Sequence, residues 1–152
     1  MENLVHGMRR ERRGDEENWS AFLVDALSNN RPWKEIAKEI LDPISETEKR
    51  RGAAFFITKR LEKYGQNPTD FPGLTRDVGR LFLGLDLQCA ECHDHLFIED
   101  YKQIDFKGLF AAYGNTFIRR DVKFPAVGEK EMKAKLEFVS VFDPTQQSTG
   151  PR

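Results

Sequence analysis

Residues 18–41 read NWSAFLVDALSNNRPWKEIAKEIL, and their spacing sets the fold class. Trp19, Phe22, Leu23, Ala26 and Leu27 recur at i, i+3, i+4, i+7 and i+8, the period of one buried helical stripe. The spacing predicts a helix over 15–29, ended by Asn29-Asn30. Pro32 suits the first position of a helix, where its missing N–H costs nothing. Trp33, Ile36, Ala37, Ile40 and Leu41 then predict a second amphipathic helix, stopped by Asp42-Pro43. Two short helices joined by a tight turn point to a mainly α protein.

The same reasoning extends outward in both directions. Residues 1–14 form a basic flank, with Arg9, Arg10, Arg12 and Arg13 read as a solvated charge run. Ser45 to Arg51 has no apolar period and reads as an exposed connection. A third helix is predicted over Gly52 to Tyr64, with Phe55 or Phe56, the Lys59 stem and Leu61 facing inward and Gly65 as its C′ residue. A fourth is predicted from a Thr75 cap, with Leu74, Val78, Leu81, Phe82 and Leu85 as its stripe. A fifth covers Asp100 to Tyr113, with Tyr101, Ile104 or Phe106, Leu109 and Phe110 on its apolar face. Thr116 to Phe124 and Lys135 to Phe142 alternate as strands do. The expected fold is therefore mainly α: about five helices, with one or two short strands near the C-terminus. Residues 15–143 form one helical domain and 144–152 a polar, frayed tail.

Composition narrows the function. A chain of 152 residues can bury about 70% of its unfolded surface. Two Trp, three Tyr and twelve Phe supply a core. The net charge of −1 gives no support for nucleic-acid binding. No stretch has the apolar length of a membrane span, and the first residues lack the apolar centre of a signal peptide.

Both cysteines and two of the three histidines fall within seven residues, Cys89-Ala90-Glu91-Cys92-His93-Asp94-His95. C-x-x-C-H is the pattern of covalent haem attachment. On a helical turn the residues i, i+3 and i+4 share a face. Two thiols can then meet the two vinyl groups of a porphyrin, while His93 ligates the iron as the proximal ligand. His6, Met8 and Met132 are the other conventional axial ligands in the chain; a five-coordinate iron or a ligand from another chain is equally open. His95 points away from His93 and is expected to bond to a carbonyl or carboxylate. Three alternatives stand beside haem. Zinc could use Cys89, Cys92 and His93 or His95, although a structural zinc wants four ligands. A thioredoxin-like pair would need a strand-to-helix junction. A disulfide or two inert cysteines would leave the turn a structural knot with no cofactor at all.

The stretch LTRDVGRLFLGLDLQCAECHDHLFIEDYKQIDFKGLFAAY, residues 74–113, resembles a cytochrome-c-like domain of unknown function found in large planctomycete surface proteins. Arg80 to Gly84, Leu87 to Ala90, Cys92 to His95 and Phe97 carry the likeness, followed by Gly108, Leu109 and Ala111. Upstream, Trp19, Val24, Ala26, Leu27, Asn30, Pro32 and Glu39 fit the same pattern. Leu96 departs from it, standing where the family usually has proline. The likeness spans about residues 15 to 115 and corresponds to the second half of the family domain. It implies an exported, haem-associated module of a larger bacterial protein. Such a module would be periplasmic or on the cell surface, and would serve electron transfer or sensing with a redox partner or with the rest of its parent protein. No pair of residues suggests acid/base catalysis by this chain on its own.

Overall fold

The computed structural model describes residues 15–43, 48–62, 69–122, 124–131 and 135–152. Five α-helices appear among them: α1 Asp15–Ser28, α2 Trp33–Leu41, α3 Phe55–Leu61, α4 Phe71–Val78 and α5 Gln103–Tyr113. Four three-residue strands follow: β1 Thr116–Ile118, β2 Val127–Glu129, β3 Leu136–Phe138 and β4 Gln147–Thr149. The mainly helical expectation therefore holds, with short strands after the last helix. The chain forms two compact units, one of Met1–Thr69 with Phe117–Gly128 and one of Asp70–Thr116 with Glu129–Arg152.

In the first unit α1 buries Trp19, Phe22, Leu23 and Ala26, as its period dictates. Trp19 stacks on Phe22 at 5.9 Å and meets Phe55 of α3 at 6.0 Å. Leu27 departs from the expected stripe and is mostly exposed, because it lies at the edge of the stripe in the last turn. The half-exposed Trp33 is a second departure, standing at the first residue of α2 while Ile36 and Ile40 face the core. Pro32 caps that helix from just outside it.

Of the connection expected over Ser45 to Arg51, residues 45–47 lie outside the described residues; Glu48 onward forms a 3₁₀ segment, Glu48–Ala54, which runs into α3, with Arg50 still exposed. Gly52 explains the difference. A Cβ there would lie 2.0 Å from the Asn18 carbonyl oxygen, so only glycine lets this segment press against α1. Ala53, Ala54 and both Phe55 and Phe56 are buried, and the Lys59 stem is buried beside them. Arg51 lies over the Phe124 ring at 4.1 Å. Phe124 was expected to close the first strand, but that strand ends at Ile118 and pairs with β2.

The second unit begins with a capped helix. Asp70, not Thr75, is the N-cap: its Oδ1 accepts the Gly73 N–H at 2.9 Å, and Pro72 fits the first turn. Thr75 is buried mid-helix, where its hydroxyl donates to the Phe71 carbonyl. Past Val78 the helix widens into a π turn, Gly79–Leu83. Gly84 ends it at φ 69°, the left-handed region glycine enters without Cβ strain.

β3 and β4 pair antiparallel, with Leu136 opposite Thr149 and Phe138 opposite Gln147. The tail expected to fray thus contains the final strand. Arg152 anchors it through an ion pair to Asp105 of α5 at 2.8 Å, and its stem crosses Gly108. No described helix is long and apolar enough to cross a membrane.

Candidate functional site: the Cys89–Phe97 turn

Apolar anchors hold the motif in place. Leu87 and Ala90 are buried with Phe106 of α5, and Leu85, Leu109 and Phe110 close around them. Burying a side chain of Leu or Phe size contributes roughly 1.5–3 kcal/mol, so this cluster fixes the turn against α5. The alternation is informative: Leu87 and Ala90 go in, while Cys89 and Cys92 face out. Arg76 of α4 adds an ion pair to Glu91.

Cys89–Glu91 is a single 3₁₀ turn. The Cys89 carbonyl accepts the Cys92 N–H at 3.2 Å and the His93 N–H at 3.3 Å. With three residues per turn, Cys89 and Cys92 eclipse one another, and His93 comes one step further round. Both thiols are free and exposed.

The two histidines are bonded in opposite ways. His93 Nδ1 lies 2.6 Å from the Asp94 carbonyl oxygen. A carbonyl only accepts, so Nδ1 carries the proton and Nε2 keeps its lone pair. His95 Nδ1 instead faces two donors, the Phe97 N–H at 3.2 Å and the Ile98 N–H at 3.0 Å. Its lone pair is committed to the backbone. The expectation that His95 donates to a carbonyl or carboxylate is thus corrected: its ring accepts. The His95 N–H meanwhile donates to the Tyr101 carbonyl at 2.8 Å, and the Tyr101 ring stands edge-on to the imidazole at 5.9 Å. Among the described residues, no group of three or more His, Cys, Asp or Glu side chains gathers around a metal-sized space. His6, Met8 and Met132 lie outside the described residues.

Asp94 works at both ends of the loop. Its Oδ1 accepts the Gln103 N–H at 2.9 Å and its Oδ2 lies 3.3 Å from Lys102 Nζ, so it serves the open start of α5. The segment after β3 lies on the other side of the turn. Val141 N–H donates to the Cys92 carbonyl at 3.1 Å, and the Phe142 ring packs on His93 at 4.7 Å.

Sequence reasoning missed one property of this surface. Leu96, Phe97 and Ile98 on one loop, and Val139, Val141 and Phe142 on the other, are all exposed, Phe97 by 88%. Six large apolar side chains around one turn are more than scattered surface residues. Phe97 projects into solvent, whereas Phe110 packs against the Leu87, Ala90 and Phe106 cluster beneath the turn.

A separate cavity of about 290 Å³ lies in the first unit, lined by Glu35, Lys38, Glu39, Asp42, Arg50 and Ala53. It contains none of the motif residues.

A protein-family model named PSCyt2, described as a protein of unknown function (DUF1549), matches residues 3–117. No curated protein and no solved structure matches the chain. The matched span holds all of α1 to α5 and the whole C-x-x-C-H turn, and on that match the chain belongs to this family.

Proposed function

We propose that the Cys89–His93 turn is an attachment site for haem c, within an electron-transfer or sensing module of a larger exported bacterial protein of planctomycete type. Cys89 and Cys92 would form the two thioether bonds, and His93 would be the proximal ligand through Nε2. The observation that carries this reading is the His93 hydrogen bond to the Asp94 carbonyl. It holds the ring in the tautomer that an iron ligand needs, the arrangement usual for metal-bound histidines. Two exposed free thiols on one eclipsed turn support it, as does the apolar surface that a porphyrin would cover.

Haem, when bound, supplies one-electron chemistry whose potential depends on axial ligation and on water exclusion. The chain's own residues orient His93 and present the thiols. Leu96, Phe97 and Val141 would shield the iron's surroundings from water. His95 shapes the loop and is not a ligand. Haem c is attached outside the cytoplasmic membrane, so on this reading the module would act in the periplasm or at the cell surface. A redox protein or the rest of the parent chain would be its partner.

The test is an alkaline pyridine haemochrome spectrum of protein expressed and exported with a haem-maturation system. The expected result is a c-type α-band that is lost in the Cys89→Ala, Cys92→Ala double variant. No α-band, or a stoichiometric zinc ion by metal analysis, overturns the reading.

A further inference from the structure

The segment Val139–Phe142 reaches the motif from outside the family-matched span, which ends at residue 117. It leaves β3 at Phe138, a buried strand residue paired with Gln147. Three contacts then tie it down. Gln103 Nε2 donates to the Val139 carbonyl at 3.3 Å. Val141 N–H donates to the Cys92 carbonyl at 3.1 Å. The Phe142 ring lies against His93 at 4.7 Å and 49°. Ser140 Oγ accepts the Phe142 N–H at 3.3 Å, which turns the chain back at that point.

These contacts answer a geometric need. The bond from His93 Nδ1 to the Asp94 carbonyl fixes one direction in the ring. It leaves the ring free to tilt about that direction. A second contact on the ring face removes this freedom, and Phe142 makes it. Phe142 is largely exposed, yet its ring stays beside the imidazole while the neighbouring Val141 N–H is bonded to the Cys92 carbonyl. Hydrogen bonds to outer groups orient metal-ligating histidines, and a ring packed on the imidazole adds a steric constraint to the one from Asp94.

We propose that Val139–Phe142 is a strap that sets the plane of the His93 ring, with Phe142 as the positioning residue. The significance for an axial ligand rests on the haem reading above; the orientation of the ring does not. The strap would let a C-terminal hairpin tune a site built by the family domain.

The experiment uses the full chain, wild type and with Phe142→Ala, Phe142→Tyr and Ser140→Ala. In the haem-free protein, NMR reads the His93 ring protons. The expected result is one fixed ring orientation, read from NOEs between the His93 ring Hδ2 and its own Hα and Hβ protons, that averages in Phe142→Ala, persists in Phe142→Tyr and loosens in Ser140→Ala. In haem-loaded protein, electron paramagnetic resonance reads the axial imidazole. Phe142→Ala is expected to retain haem at wild-type yield and to change the g-value spread, with Phe142→Tyr restoring it. An unchanged His93 ring NOE pattern in Phe142→Ala overturns the strap. Haem-free wild-type protein after maturation overturns the haem reading alone, and the NMR arm still decides the strap.

Discussion

His93 and His95, two residues apart, hold their imidazoles in opposite tautomers: Nδ1 donates in the first and accepts in the second. The backbone writes this difference. A carbonyl faces one ring and two N–H groups face the other. Nitrogen-15 NMR is expected to report protonated Nδ1 in His93 and protonated Nε2 in His95. His95→Ala should lower stability by about 0.5–1.5 kcal/mol, the net value of an ordinary hydrogen bond, and leave haem attachment intact. Loss of attachment in that variant would show that His95 does more than shape the loop.

Two glycines should fail for different reasons. Gly52→Ala brings a Cβ to 2.0 Å from the Asn18 carbonyl and must push the 3₁₀ segment off α1. We expect a loss of about 1–3 kcal/mol or more, as for an overpacked core. Gly84→Ala meets no atom within 4 Å but must hold φ near 69°. That costs roughly 1–2 kcal/mol from backbone strain alone. Urea melts separate the two, and an Asn at position 84, which tolerates the left-handed region, is expected to recover part of the loss. No recovery would mean that strain is not the cause.

Asp94 acts on α5 from nine residues upstream. Lys102, the residue before the helix, gives no side-chain cap, and Asp94 Oδ1 takes the Gln103 N–H in its place. Asp94→Ala is expected to cost about 1 kcal/mol, as the loss of an ordinary cap does. Asp94→Asn keeps an acceptor and loses the half-exposed pair with Lys102, worth about 0–1 kcal/mol. Hydrogen exchange at Gln103 should rise in the first variant and change little in the second.

Hydrogen bonds from the Thr145 side chain and backbone hold the Asp143 carboxyl below its ordinary range. A lowered folded-state value means that the charged form favours the folded turn. That contribution is present above the unfolded carboxylate value and fades as pH falls through the lower, folded one. The Asp143 carboxyl carbon should therefore titrate below a peptide reference, with the Thr145 amide shifting in step. Thr145→Ala should raise the midpoint. Titration at the reference value would rule out the turn.

Much of this architecture is legible in the residue pattern, and the misses have physical causes. The stripes of α1 and α2 predict their buried faces because a single period governs both, and C-x-x-C-H locates the turn. Thr75 looks like a cap by type, yet the chain is already helical four residues earlier, where Asp70 does that work. Glu48 to Arg51 has no apolar period to announce a helix, yet it leads as a 3₁₀ segment into the buried Ala53-Ala54 pair. The polar residues after 144 carry no strand period; their order comes from pairing with β3 and from Arg152 on Asp105. At the site, residue types indicate two thiols and an imidazole close together in sequence. They do not indicate which ring nitrogen is protonated, since that depends on carbonyls and N–H groups that every residue shares.

The π turn at Gly79–Leu83 has a consequence for how this region can vary in length. The Gly84 N–H returns to the Gly79 carbonyl five residues back, one more than an α-helix uses. One residue of slack is therefore stored between the capped helix and the cysteines. Removing a residue there lets the turn tighten to the α spacing with Gly84 still closing it. Such a deletion is expected to rotate the helix relative to the turn while leaving both hydrogen-bonded.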